Sequence, residues 1–240
     1  MIEALCGGEV DAPLMAELAR GRLRRKRTEL TQALEGRVKP HQRFILTELL
    51  CQIDSLEETI GHFDEQIEAA CLPFAQAVEC LDTIPGVGRE TAEVIVAEIG
   101  ADMSRFPSAQ HLAAWAGVAP GNHESGGKRL SGRVRHGNQA LRRALLQAAK
   151  AAAHTKATYL AAQYQRLVRR RGKKRASVAV AHSILVIAYH LLKRGEEYHE
   201  LGANYFDRER PEATATRLVQ RLEKLGYQVT LQVPVAGAMA

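Results

Sequence analysis

The sequence predicts a mainly α-helical fold, in which a coiled-coil helix precedes a helical domain that contains a helix-hairpin-helix motif. Two observations favour this fold class. The commonest residues include Ala, Leu, Glu and Arg, all of which favour helix. Apolar residues recur at spacings of three and four, whereas the period-two alternation of strands is nearly absent. One short C-terminal strand, over residues 227–231, could be added to this helical fold.

The charge is distributed in blocks. The 240 residues carry a formal net charge of +6 at pH 7, yet no Asp or Glu occurs from Ser125 through Gly195. That stretch carries seventeen Lys and Arg residues, so the rest of the chain is net acidic. Such a block favours a nucleic-acid surface over a mixed solvated face. A second basic cluster, Arg20 to Arg27, fits either a solvated helix face or a nucleic-acid contact.

The four cysteines and the apolar segments exclude some classes of protein. Cys6, Cys51, Cys71 and Cys80 form no CxxC pair and have no His at zinc-finger spacing. This pattern predicts buried free thiols in a reducing cytoplasm rather than a zinc site or a disulfide framework. The most apolar run, residues 177–192, is shorter than the roughly 20 residues of a membrane span. It predicts a buried helix, with no membrane partner.

The first 72 residues predict two helical segments. Asp11 followed by Pro13 indicates the start of a helix at about 12–35, within an N-terminal helical remnant over 1–40. Residues 41–72 are predicted to form a coiled coil, because apolar residues hold a heptad spacing over four repeats. The positions of this seam are Leu46, Leu49, Ile53, Leu56, Ile60, Phe63, Ile67 and Ala70. The seam could pair with a second copy, giving a homo-oligomer, or with the helix at 12–35.

Residues 74–100 contain the predicted helix-hairpin-helix motif. A short helix, 74–81, leads into the tight hairpin IPGVG, and a second helix ends at Gly100. Gly86 and Gly88 allow positive φ and close approach, so that amides at a helix N-terminus can meet a phosphate oxygen. Such contacts hold a DNA backbone without reading its sequence. The plainer interpretation is an ordinary αα-hairpin with a Pro-Gly turn.

Further helices are predicted around a glycine-rich loop. Ser108 should cap a helix that ends near Gly117. Trp115 on this helix is predicted to lie in the core rather than to serve as a base-stacking platform. The loop over 120–137 contains too much glycine for regular helix. Asn138 should cap a long helix from Ala140 to about Val168. A last helix is predicted over 211–225, and the tail 233–240 is predicted to be disordered.

Two serines of the loop are candidate nucleophiles. A serine hydroxyl needs a base or a metal to become reactive, and His123 and Glu124 are the only bases near Ser125. Lys128, Arg129 and Arg133 could hold a phosphate and neutralise its charge. Ser131 has equally basic neighbours, so the residues alone leave both serines open. The chain lacks the GxSxG elbow of metabolic serine hydrolases.

The run AGVAP…SG…GRVRHGN…LRRAL resembles the transposase domain of the insertion-sequence one-ten family, also called the one-sixteen or nine-oh-two type. The IPGVG hairpin and the coiled coil lie upstream in the family's order, and the resemblance covers about residues 41–232. It implies an RNA-guided DNA recombinase of mobile elements, in which a serine attacks DNA. Ser125 matches that serine, and Pro120, Gly126 and the Gly137-Asn138 pair also match the pattern.

The resemblance further implies a RuvC-like domain before the coil, with an acidic tetrad that binds Mg²⁺. Neither a strand pattern nor spaced carboxylates occur before residue 41. We therefore expect the chain to be a C-terminal portion with no cofactor of its own. Its transposase domain is predicted over 73–232. The expected partners are DNA, a guide RNA and further copies of the chain. An alternative is a non-catalytic relic that only binds nucleic acid. The predicted DNA contacts are Gly86, Gly88, Lys128, Arg129, Arg133, Arg135, Arg142 and Arg143.

Overall fold

A computed structural model describes residues 1–9, 11–36, 38–121, 123–132, 134 and 136–231. The side chains of residues 123, 124 and 129–131 are not described. The chain divides into two compact units, Met1–Leu72 and Pro73–Ala240. The described part is mainly α-helical, which confirms the predicted fold class. The predicted tail at 233–240 lies outside the described residues.

The first unit is built entirely from helices over its described residues. In order these are α1 (Ile2–Cys6), α2 (Ala12–Glu17), a 3₁₀ helix (Gly21–Lys26), α3 (Arg27–Leu34) and α4 (Pro40–Cys71). The Asp11 side chain accepts the Leu14 amide at 3.3 Å and caps α2, as predicted. The single helix expected over 12–35 is wrong, because Gly21 adopts φ +57° and the following turn winds as 3₁₀.

Helix α4 carries the heptad seam over 32 residues. The seam side chains remain largely open to solvent; Ile53 is 50% exposed and Ile60 is 57% exposed. Among the described residues of this unit, the segment 12–34 therefore does not cover the seam. Burying one such side chain stabilises an assembly by about 1.5–3 kcal/mol. Of the two pairings that the sequence left open, the structure leaves the seam available for a second copy.

The second unit contains the other helices and a two-stranded sheet. Its elements are α5 (Ala75–Asp82), α6 (Arg89–Ile99), a 3₁₀ turn (Met103–Arg105), α7 (Ala109–Trp115), β1 (His123–Ser125), β2 (Lys128–Ser131), α8 (Gln139–His154), α9 (Tyr159–Arg171), α10 (Lys173–Arg194), α11 (Tyr205–Glu209) and α12 (Pro211–Glu223). Helix α12 agrees with the predicted last helix. The predicted strand over 227–231 is wrong, and both described strands lie in the glycine-rich loop instead.

Helix α10 forms the centre of the second unit. By length and composition alone it could cross a membrane. Its apolar face, however, is fully buried against α7, α8 and α9, with Val180, Ile184 and Leu185 at 0% exposure. The helix therefore fills the core of the unit, as the sequence predicted.

The long helix predicted from Ala140 to about Val168 is divided into α8 and α9. The Thr155 hydroxyl donates to the Ala152 carbonyl at 2.7 Å, and the Thr158 hydroxyl accepts the Ala161 amide at 3.3 Å. Ala157 between them has φ +58°. Because threonine hydroxyls compete with helical hydrogen bonds, this pair ends one helix and caps the next. The alanine-rich composition did not reveal the break.

Cys80 is the one buried cysteine of the four; Cys6 and Cys71 are partly buried and Cys51 is exposed. The Cys80 thiol donates to the Glu196 carbonyl at 2.7 Å, and burial raises the pKa of this thiol. Burial of all four thiols was therefore a wrong expectation. Cys51 lies on the exposed helix α4, which explains its accessibility.

Gly86 brings the turn between α5 and α6 into direct backbone contact with α8. A Cβ atom at this position would lie 2.6 Å from the Ala148 carbonyl oxygen and 2.8 Å from the Ala152 Cα, and φ is +88°. Gly88 differs, since nothing lies within 4 Å of a Cβ there and its φ is −99°. The two glycines of the hairpin therefore have different physical roles.

We predict that Gly86→Ala lowers the free energy of unfolding by about 2–4 kcal/mol, because it adds both a left-handed strain and an overpacked methyl group. Gly88→Ala should change it by about 0.5 kcal/mol or less. Urea unfolding followed by circular dichroism measures both. Equal losses for the two variants would contradict the packing role of Gly86.

We also predict that the chain self-associates through α4. Ile53→Glu combined with Ile60→Glu should dissociate the assembly, because an unpaired charge in an apolar seam is costly. Ser55→Glu combined with His62→Glu places the same charges seven residues apart but off the seam, and should leave association intact. Light scattering over a concentration series distinguishes the variants. A monomeric parent chain at high concentration would refute the prediction.

Candidate functional site

The candidate serine lies on a β-hairpin. Strands β1 and β2 pair antiparallel through a two-residue turn, Gly126-Gly127, whose φ values are +57° and +73°. Positive φ at both central residues is the requirement of a type I′ turn, which matches the twist of the strands it joins. The prediction of an irregular loop is therefore corrected. The Gly-Gly pair was the sequence signal that could have revealed the hairpin.

Ser125 and Lys128 are directly opposed in the strand register, on either side of this turn. Opposed residues carry their side chains on the same face of a sheet, with Cβ atoms about 4.5–5.5 Å apart. Both residues are exposed. The hairpin therefore presents a hydroxyl and a flexible ammonium group together at its tip.

The other predicted loop residues are only partly placed. The backbone register pairs Glu124 with Arg129 and His123 with Ser131, and a bulge lies between His123 and Glu124. The side chains of these four residues are not described. Arg133 and Arg135 lie outside the described residues altogether. Ser125 and Lys128 are thus the predicted loop residues whose placement can be assessed.

The chain segments on either side of the hairpin meet at the C-terminus of α7. A Cβ at Gly137 would lie 2.5 Å from the Ala116 carbonyl carbon and 2.6 Å from the Gly117 Cα, so the two backbones are in direct contact. The Asn138 amide donates to the Trp115 carbonyl at 3.4 Å. We call this meeting point, formed by residues 115–117 and 137–138, the hairpin root.

Asn138 connects three helices at the hairpin root. Its side-chain oxygen accepts the Leu141 amide at 3.0 Å and caps α8, as predicted. Its side-chain amide donates to the carboxylate of Glu98 on α6. Sequence reasoning missed Glu98, because the partner lies forty residues away and no spacing pattern marks it.

Cations lie beside the hairpin root and at a second place in the unit. Arg142 is half-buried and Arg143 is exposed. They follow Asn138 on α8 by four and five residues, a rise of about 6–8 Å along a helix. A second exposed group surrounds Gly172, where α9 ends and α10 begins. Its members are Arg169, Arg170, Arg171, Lys173, Lys174 and Arg175.

The structure separates the two predicted hairpin contacts with DNA. Gly86 is half-buried against α8. This backbone contact explains why the position is occupied by glycine, and no bound ligand is needed to explain it. Gly88 is exposed and precedes the eleven-residue helix α6, whose first amides lack acceptors within the helix. A phosphate contact at Gly88 remains a prediction. Within the described part of the chain, no group of three or more His, Cys, Asp or Glu residues could hold a metal ion.

Residues 78–165 match the family described as Transposase IS116/IS110/IS902 family. The segment covers α6, α7, the hairpin and α8, together with parts of α5 and α9. Through this segment, the chain is similar to the transposases of that family. The family match therefore includes every element that contributes to the hairpin root.

Three relatives illustrate the likeness. The transposase for insertion sequence element IS1111A of Coxiella burnetii is 34% identical over 167 residues, which is 66% of this chain and 44% of the relative. The putative transposase y4pF/y4sB of Sinorhizobium fredii is 29% identical over 79% of this chain and 57% of its own length. The pilin gene-inverting protein of Moraxella bovis is 30% identical, over 59% and 48% respectively. The chain spans about half the length of these relatives.

We predict that Asn138 stabilises the hairpin root through both of its side-chain contacts. Asn138→Ala should lower the free energy of unfolding by about 1–2 kcal/mol, because α8 loses its cap. Asn138→Asp keeps a capping oxygen but faces the Glu98 carboxylate, so it should also destabilise the unit at neutral pH. Adding Glu98→Gln to Asn138→Asp should restore the melting temperature. Identical melting of the single and double variants would show that Glu98 is not the partner.

Proposed function

We propose that this chain is the DNA-binding and strand-cleaving part of a serine-dependent, RNA-guided DNA transposase or recombinase. The observation that carries the proposal is the pairing of Ser125 with Lys128 at the exposed tip of the hairpin. A nucleophile and a phosphate-binding cation on one face are what an attack on a DNA backbone requires. The guide RNA is proposed from the family resemblance alone.

The family match over residues 78–165 supports DNA rearrangement as the class of activity. The relatives include proteins named as transposases and a protein named for inverting pilin genes. Both names describe the movement or inversion of DNA segments. Since the chain spans about half of those relatives, we extend their activity to it only as part of this proposal.

The proposed step is a transesterification at phosphorus. The Ser125 Oγ transfers its proton to a base and forms an Oγ–P bond, while the bond between phosphorus and one flanking sugar oxygen breaks. The released sugar oxygen takes up a proton, and the DNA remains attached as a phosphodiester of serine. His123 and Glu124 are the candidate bases, and Lys128 would neutralise negative charge on the phosphate.

Mg²⁺ would have to be held elsewhere than among the described residues, which offer no suitable cluster of donors. We derive no step of this chain through the metal. The residues described here bind and orient the phosphate and supply the hydroxyl. The expectation of an acidic metal site in a further domain follows from the family resemblance.

Phosphate binding is proposed to arise from exposed cations rather than from base-specific contacts. Lys128 at the tip, Arg142 and Arg143 at the root, and the cations around Gly172 all belong to the stretch without acidic residues. Contacts of this kind release counterions, so affinity falls steeply as salt rises. They position the DNA without specifying its sequence.

A non-catalytic nucleic-acid-binding module is the second candidate. The block of cations without Asp or Glu from Ser125 through Gly195 supports it, because binding needs only the cations. Both candidates predict salt-dependent DNA binding. They differ in the formation of a covalent protein–DNA adduct.

We predict that Ser125→Ala abolishes the adduct while DNA binding persists, because a hydroxyl adds little phosphate affinity beside so many cations. The adduct is measured on nicked DNA by denaturing electrophoresis, with an acidic RuvC-like domain fused before Met1. Ser131→Ala is the matched control and should leave adduct formation largely intact. Without the fused domain, the parent chain and both variants should bind DNA equally and form no adduct.

Loss of the adduct in Ser131→Ala but not in Ser125→Ala would transfer the nucleophile to Ser131. An adduct that forms in both single variants would refute serine chemistry in the hairpin. If no adduct forms with the fused parent chain while binding remains salt-dependent, the non-catalytic module is the better description.

A further inference from the structure

Trp115 is the chain's only tryptophan, and the sequence predicts it in the core. The structure shows it 44% exposed, at the last residue of α7. The Phe106 ring supports one side of the indole, with ring centroids 5.8 Å apart and planes tilted by 56°. Phe106 is itself tied to the core, because its carbonyl accepts the Tyr189 hydroxyl of α10 at 3.2 Å. The expectation of a core tryptophan was wrong; the indole contacts the Phe106 ring and is partly open to solvent.

The indole stands at the hairpin root. The Trp115 carbonyl accepts the Asn138 amide, so the residue lies where the hairpin leaves and rejoins the helices. Ser125 is ten residues further along the chain, which limits the separation of the two residues to about 35 Å. Because duplex DNA rises about 3.4 Å per base pair, this maximum separation corresponds to about one turn of duplex. A DNA strand attacked at Ser125 can therefore also reach Trp115.

The surroundings of the indole are cationic. Arg105 is exposed and directly precedes Phe106, and Arg142 and Arg143 begin α8 beside the root. No Asp or Glu occurs from Met103 through His123. Glu98 accepts the Asn138 side-chain amide, and the Asp102 carboxylate, which directly precedes this stretch, accepts two hydrogen bonds from Ser104. These charges favour a phosphate backbone next to the ring.

We propose that Trp115 stacks on an unpaired nucleobase of the DNA held at the serine hairpin, a proposal that rests on the function above. The open part of one indole amounts to about 100 Å². Its exposed neighbours on α7 are Gln110, His111 and Ala114, which add polar or small groups rather than an apolar surface. A protein partner would need about 800 Å². A single supported ring among cations fits one base, since every base offers a face for stacking.

The single tryptophan allows a direct test on the unmodified chain, because its fluorescence reports only on this site. The chain is titrated with a single-stranded oligonucleotide and with an abasic strand that has the same number of phosphates. Binding of each strand is followed independently by anisotropy of a dye on the DNA. The base-containing strand should quench the tryptophan, whereas the abasic strand should bind with little quenching.

Substitutions at Trp115 measure how much the indole ring contributes to the affinity for DNA. Trp115→Ala should weaken binding of the base-containing strand by about 5- to 100-fold and leave the abasic strand nearly unchanged. Trp115→Phe should retain most of the affinity, because it keeps an aromatic face. Gln110→Ala, an exposed position on the same helix, should leave both strands unaffected.

Equal quenching by the abasic strand, or equal loss of affinity for both strands in Trp115→Ala, would overturn the stacking proposal. Salt-dependent binding without any quenching would overturn it while leaving the proposed function intact. If the chain binds neither strand at low salt, both the stacking and the proposed function are wrong. The fluorescence titration uses the unsubstituted chain, so it tests the proposal even if a variant folds poorly.

Discussion

The second unit depends on contacts in which backbone meets backbone without an intervening side chain. The turn between α5 and α6 contacts α8 at Gly86, and the segment that follows the hairpin contacts the end of α7 at Gly137. On α8, the face that receives the turn consists of small residues such as Ala148, Ala149 and Ala152, all buried. Close packing of this kind tolerates almost no added volume. The turn between α5 and α6 is thus positioned by α8, and the segment after the serine hairpin by α7.

This arrangement changes the interpretation of the IPGVG segment. Glycines in such a turn are easily attributed to a phosphate contact, yet Gly86 is explained by its contact with α8. The exposed N-terminus of α6 beside Gly88 keeps the geometry that an anion would need. A substitution at Gly86 therefore reports on folding, and DNA binding has to be probed at other positions.

Local signals in the sequence predicted local structure well. Asp11, Ser108 and Asn138 cap the helices that they were expected to cap, and the apolar run at 177–192 lies within the central helix α10. Predictions failed where a few side-chain hydrogen bonds or one backbone angle decided the outcome. Thr155 and Thr158 divide a helix whose composition is continuous. Near the N-terminus, α2 ends at Glu17, and Gly21 with φ +57° then begins a 3₁₀ helix instead of continuing the expected helix.

Tertiary relations were less accessible to sequence reasoning. The contact between Glu98 and Asn138 joins positions forty residues apart, and nothing local marks either one for the other. Ser125 and Ser131 have similarly basic neighbours, so chemistry alone could not rank them, and the family resemblance supplied the preference. The register adds one physical difference, because Ser125 faces Lys128 across the turn. Trp115 was misplaced because an isolated tryptophan in an apolar segment is usually buried.

The convex position of Ser125 limits the kinds of substrate that the site can use. Sites for small molecules are concave and surround most of the ligand, whereas the tip of an exposed hairpin surrounds nothing. A polymer can still bind there, since contacts along its length compensate for weak enclosure at any one point. Under the proposed function, the cations at the hairpin root and around Gly172 would supply such distributed contacts. Under the proposed function, water would have to be excluded by the nucleic acid or by another polypeptide surface. A second copy, recruited through the exposed seam of α4 as predicted, would supply such a surface.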